Sequence, residues 1–173
     1  MMTIEKLYST KPPYLYVLEA TPSEITDYGW RIGEDNTRKI ALRFLRGKKM
    51  RTVKSLFDET AAALQFPYYF GENWSAFDEC IADLSWLPAD VYVLIVTNAE
   101  EVLIEESEPE LGTFTRILQL TGGEWAQAAD DTGTQHSKPI AFHTIFQSLE
   151  LGKLSLRLKH VDAAFEEFQR PAQ

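Results

Sequence analysis

The sequence predicts an α/β fold in which a small, mostly parallel sheet is packed with helices. Three observations lead there. Short runs rich in strand formers alternate along the chain with segments of helical periodicity. Residues 90–96 (DVYVLIV) are almost continuously apolar, the pattern of a strand covered on both faces. The chain has 173 residues, 45% hydrophobic and 25% charged, enough to bury a real core in one domain.

The elements are justified in order. Pro12 and Pro13 precede residues 14–18 (YLYVL), a strand that Thr21-Pro22-Ser23 ends. Residues 30–32 and 38–45 read as paired strands, because Gly33-Glu34-Asp35-Asn36 between them is turn chemistry. Arg46-Gly47-Lys48-Lys49 closes the second of these, and Thr52 caps a helix with Ser55 three residues on. Val53, Leu56, Phe57, Thr60, Ala63 and Leu64 carry that helix at its period until Pro67. Asn73 opens a second helix that reaches about Ser85, with Pro88 barring a longer one. After the apolar strand, residues 97–100 (TNAE) supply an N-cap for a short helix. Residues 111–129 read as helical with an interruption at Gly122-Gly123, and residues 130–138 as a polar loop. Residues 140–146 form the last strand, followed by a short helix at 162–168 and a frayed end.

Charge is concentrated rather than spread. The chain holds 26 acidic and 17 basic side chains, a net charge of -9. Residues 66–131 contain 14 carboxylates and a single base, Arg116, whereas the flanks balance at +4. Such a middle segment repels nucleic acid phosphate and steers a basic partner toward itself. A solvated acidic surface kept for solubility is the plainer alternative.

Several classes are excluded or left without support. No apolar run approaches the roughly 20 residues of a membrane helix, and no secretory signal is visible, so the expectation is a cytoplasmic protein without membrane contact. One cysteine, Cys80, allows neither an internal disulfide nor a multi-cysteine metal site. His136, His143 and His160 are too far apart for a zinc pattern, so no metal and no cofactor is expected. His143 on a strand reads as structural. Glu100, Glu101, Glu105, Glu106, Glu108 and Glu110 read as solvated surface.

The distinctive stretch is residues 67–81, PYYFGENWSAFDECI. With Trp74 at zero and about 100° per residue, Cys80, Leu84, Phe77 and Ile81 fall at roughly 240°, 280°, 300° and 340°. They form an apolar face that includes Trp74. On the other side Asp78, Ala82, Ser75, Glu79 and Asp83 fall at roughly 40°, 80°, 100°, 140° and 180°. Three carboxylates thus share one exposed face with two small residues. Gly71 permits a turn that a side chain would hinder, and Asn73 can cap the helix.

Tyr69-Phe70-Gly71-Glu72-Asn73-Trp74 followed by the acidic helix resembles the barstar family, intracellular inhibitors of barnase-type ribonucleases. Residues 47–97 align with the family pattern without gaps, and Glu124-Trp125-Ala126 and Phe142-His143 resemble features of its longer members. The resemblance implies a barstar-like fold with a three-stranded sheet and extra N-terminal strands. It implies one barstar-like domain over 1–173, with a core at about 38–147 and extensions at 1–37 and 148–173. It further implies a protein, monomeric when free, whose acidic loop and helix enter the active site of a basic ribonuclease or nuclease toxin. The carboxylates take the place of RNA phosphate there, and no nucleic acid is bound directly.

Carried over by position, Tyr69 matches a loop tyrosine that packs on the enzyme, within the Gly71 and Asn73 loop. Glu79 matches the central acidic contact, normally Asp. Ala82 and Asp83 match contacts at the helix end, and Cys80 a cysteine often found there. Ser75 stands where the family usually has Asp, and Asp78 where the best-known member has an aromatic. Two other readings stay open: a barstar-like scaffold with a different partner, and an enzyme using Asp78, Glu79 and Asp83 for acid–base work.

Overall fold

A computed structural model describes residues 4–127 and 138–168. Five strands, β1 (Leu15–Glu19), β2 (Ile40–Arg46), β3 (Val91–Thr97), β4 (Ala141–Ser148) and β5 (Glu166–Glu167), form one sheet in the order β2-β3-β4-β1-β5. Every pairing is parallel. The fold class expected from the sequence therefore holds: the N-terminal strand β1 joins the three-stranded sheet as expected, and β5, which was not expected, makes five. β1 and β5, from the two ends of the chain, extend it beyond β4.

Helix α1 (Pro22–Gly33) lies on one face of the sheet. Helices α2 (Val53–Leu64), α3 (Trp74–Asp83), α4 (Glu108–Trp125) and α5 (Leu151–His160) form the layer on the other. The strands feed both cores by alternation. Tyr92, Leu94 and Val96 of β3 face the four-helix side, while Val91, Val93 and Ile95 face α1. Only the step from β1 to β2 runs backward along the sheet, and only its helix uses the other face, so all crossovers keep one hand.

The α1 segment corrects the hairpin expected at residues 30–45. Thr21 is an N-cap whose hydroxyl accepts from the Glu24 N–H, while the Glu24 carboxylate accepts from the Thr21 N–H. Pro22 fits the first helical position, where no amide hydrogen is needed. Ile25, Tyr28, Gly29 and Ile32 recur at helical spacing and are all buried. The Thr-Pro-Ser-Glu capping box was the legible signal. Turn residues after Gly33 do not make a hairpin, and β2 pairs only with β3, in parallel.

Three smaller corrections follow. α4 runs unbroken through Gly122-Gly123, because a Cβ on Gly122 would sit 2.4 Å from the Tyr14 ring; glycine there serves close packing. Among the described residues the last helix is 151–160, and the expected helix at 162–168 is a turn leading into β5. Before the 3₁₀ turn Ala99–Glu101, Asn98 makes no side-chain cap and adopts a left-handed backbone, φ 49°. Of the expected polar loop at 130–138, only Lys138 lies within the described residues.

Candidate docking surface

Aromatic packing sets the position of the loop between α2 and α3. Phe57 of α2 meets Phe70 edge-on at 5.7 Å and Trp74 at 5.0 Å, and Phe66 meets Phe70 at 5.1 Å. The Trp74 indole N–H donates to Glu110 Oε2 of α4 at 2.7 Å, and a buried indole needs such an acceptor. With Phe66 and Phe70 turned inward, Tyr68 and Tyr69 are turned out. Tyr68 is fully exposed and Tyr69 67% exposed, their rings edge to face at 5.7 Å.

Gly71 acts through space rather than through its own backbone. A Cβ there would stand 3.0 Å from Asn73 Nδ2, the amide that donates back to the Gly71 carbonyl at 3.1 Å. The left-handed residue in the turn is Glu72, φ 46°. Asn73 Oδ1 accepts from the Ala76 N–H at 2.9 Å and so caps α3 as expected.

On α3, Phe77, Cys80 and Ile81 are buried, and burial pushes the Cys80 thiol up, as for a small core hydrophobe. Ser75 and Glu79 are exposed, whereas Ala82 and Asp83 are half-buried. The expectation that Asp78 shares the open face is corrected. α4 packs alongside α3 and half-buries Asp78, raising its pKa by desolvation; Arg116 of α4 opposes that rise and Glu79 adds to it. Glu124 of α4 is raised likewise by desolvation and by Asp78. Asp83 Oδ1 is buried without a hydrogen bond among the described residues. It sits at a helix C-terminus, where the dipole disfavours a carboxylate.

The acidic run after β3 is also corrected, because much of it is tied inward. Arg51 pairs with Glu101 and, at 2.7 Å, with Glu105. Glu106 Oε1 accepts from the Val53 N–H at the start of α2. Glu100 is buried, and Glu110 holds Trp74. Sequence reasoning missed Arg51, Glu110 and Tyr68. The signal for Tyr68 was its pairing with Tyr69 after Pro67.

Two cavities among the described residues lie away from α3. One is lined by Tyr8, Arg38, Asp90 and Lys138 at the strands' N-terminal ends, the other by Trp30 and Phe44 between α1 and β2. Neither includes Asp78, Glu79 or Asp83. Open α/β sheets usually bind ligands where helices leave neighbouring strands to opposite faces, here between β1 and β4. That crevice is stapled shut by Gln147, whose amide donates to the Ala20 carbonyl and accepts from the Asn98 N–H. Among the described residues, no group of three or more His, Cys, Asp or Glu could hold a metal ion. His143 is buried with Nε2 2.7 Å from the Ser9 carbonyl, a structural tie to the N-terminal segment.

Tyr68, Tyr69 and Glu79 are thus among the outward aromatic and acidic groups on the loop and α3 of a parallel α/β protein. The chain is a member of the Barstar (barnase inhibitor) family, whose model matches residues 40–139. That span runs from β2 through the loop and α3 and leaves out β1 and α1. No curated protein matches the chain. Among solved structures it resembles Cdc6p from Pyrobaculum aerophilum, with a TM-score of 0.54 and 12% identity over 89% of this chain. The chain spans 38% of that protein's length, and the likeness is one of fold. Among the described residues no helix is long and apolar enough to cross a membrane.

Proposed function

We propose that this chain inhibits a basic barnase-type ribonuclease inside the cell by seating its loop and α3 in the enzyme's active site. The observation that carries the reading is Tyr69 and Glu79 standing exposed in the family-matched segment, beside a loop anchored by Phe57, Phe70 and Trp74. A rigid aromatic with few torsions loses little entropy on binding, and a preorganised acid meets the cations that hold RNA phosphate. Tyr69, Gly71, Asn73, Ser75, Asp78, Glu79, Ala82 and Asp83 are the proposed contact region, and we add Tyr68. In this reading the protein acts by occupying a site, with no cofactor and no chemistry of its own, as one barstar-like unit with terminal extensions.

A second reading has its own observation. Ser75 lacks the family's acid, and Asp78 is half-buried beside α4, so the outward charge is smaller than the sequence count suggests. Both features favour a partner less cationic than barnase, such as a different nuclease toxin. Titrating ribonuclease activity with the protein, and measuring Kd by calorimetry for wild type and Glu79→Ala, tests the two. Inhibition weakened by the substitution supports the first reading; no binding to any barnase-type enzyme sinks it.

A further inference from the structure

We infer that the groove between α1 and β2 is a self-association surface that pairs two copies of this chain. α1 and the 3₁₀ turn Ile4–Tyr8, which lies against β3 and β4, cover this face of the five-stranded sheet, and the outer side of β2 is left partly bare. Leu42 is half-buried there, Phe44 is 40% exposed, and Trp30 of α1 stands 72% exposed on the lip. With Thr26 and Gly33 they line a groove of ≈ 610 Å³. Phe44 reaches across onto Gly29, where a Cβ would stand only 2.6 Å from its ring. Contiguous exposed apolar surface of this kind marks an interaction site.

Two observations select the occupant. The free edge of β2 is guarded against an added strand: Arg43 Nη1 donates to the Leu42 carbonyl at 2.9 Å, and the Arg46 N–H donates to Glu59 at 3.0 Å. The partner therefore packs on the face. That face is complementary to itself. It carries both a projecting indole and the hollow beside it, and its two rims bear opposite charge. The α1 rim presents the exposed acids Asp27 and Glu34 with Arg31 between them, and the turn after β2 presents the exposed bases Lys48 and Lys49; Arg43 and Arg46 are instead tied to α2 in the opposite layer, and Arg38 to Asp35. A two-fold axis parallel to the groove sets α1 of one copy over β2 of the other, as closed symmetry requires. α1 runs antiparallel to the strands, so Asp27 then lies toward Lys48 at the end of β2. Trp30 enters the partner's hollow over Leu42 and Phe44. α3 belongs to the opposite layer, so pairing leaves Tyr69 and Glu79 uncovered in both copies. The family resemblance led us to expect a monomer, and the sequence gave no sign that Trp30 and Phe44 line one groove.

Sedimentation equilibrium on the full chain decides it. At a concentration on the order of 100 μM, where a micromolar dimer is almost wholly assembled, wild type should sediment as a dimer. Trp30→Ser should be monomeric with unchanged circular dichroism and melting, since the indole is mostly outside the fold. Asp27→Lys should raise the dimer Kd about tenfold, the size of one lost charge pair in a partly buried contact, and adding Lys48→Glu should restore it. A monomeric wild type overturns the inference. So does a dimer that survives Trp30→Ser, and so does a charge swap that fails to restore association.

Discussion

Two acidic stretches of this chain meet different fates. On α3, Glu79 stays exposed beside a pair of exposed tyrosines. In the run after β3, Glu101 and Glu105 are held by Arg51, Glu106 by the first amide of α2, and Glu110 by the Trp74 indole. Charge counted along a sequence does not distinguish a group offered to a partner from one tying two elements together. The difference lies in what stands opposite. Cations and donors already opposite the run absorb its field, and none of those pairings engages Glu79.

The comparison breaks most sharply at Glu79. Glu79→Ala should weaken binding to the partner ribonuclease by about 2 kcal/mol or more, roughly thirtyfold, mostly through faster dissociation. Melting temperature should not move, because the side chain lies off the apolar face. Association of wild type should also slow as salt rises. Unchanged affinity with a confirmed partner would show that Glu79 is surface charge like any other.

Glu110 should behave in the opposite way. Glu110→Ala leaves the Trp74 N–H half-buried without its acceptor and should cost about 1–2 kcal/mol of stability by denaturant unfolding. Affinity, measured where the variant is fully folded, should stay within twofold or so. A loss of affinity without a loss of stability would place Glu110 on the docking side of the comparison. Arg51→Ala, which frees Glu101 and Glu105 at an exposed site, should cost less, about 0.5–1 kcal/mol, and less again in high salt.

Ser75→Asp sharpens the contrast by adding an acid to the docking stretch. A carboxylate in the first turn of α3 gains roughly 0.3–1 kcal/mol from the helix dipole, so the fold should be undisturbed. Inhibition of a barnase-type ribonuclease should tighten, and equal or weaker inhibition would mean that this face docks in some other way.

Acid–base behaviour gives the smallest effect, with opposite signs at two sites. Glu59 is held below the usual carboxylate range chiefly by its hydrogen bond to Arg46; its stabilisation is present above the unfolded pKa and is lost as pH falls through the folded one. Asp78 is raised by burial beside α4. The folded state binds its proton more tightly, so stability falls as pH rises from the ordinary carboxylate value through the raised one. Asp78→Asn should therefore flatten stability in that window, and Glu59→Gln should flatten it on the more acidic side. An unchanged slope for Asp78→Asn would mean that α4 does not desolvate it.

Local chemistry alone determined much of what was legible. Residues 90–96 had to be a doubly covered strand, because seven residues with so few polar groups have no solvated side. Thr52 with Ser55, and Asn73 with Ala76, close helix starts through contacts three residues apart, and a capping box at Thr21 and Glu24 was equally visible. The loop–helix motif likewise marked the stretch proposed for docking, since most of its exposed and buried positions, Asp78 excepted, follow from helical period. Tertiary structure decided the rest. Whether a carboxylate is offered or tied depends on Arg51 or Trp74, which stand 54 and 36 residues from Glu105 and Glu110. The half-burial of Asp78 depends on α4 lying against α3, and the tolerance of Gly122-Gly123 within a helix depends on Tyr14. The places of β1 and β5 depend on a sheet order no local pattern encodes. Local periodicity shows which way a side chain points, and only the packed chain supplies what meets it there.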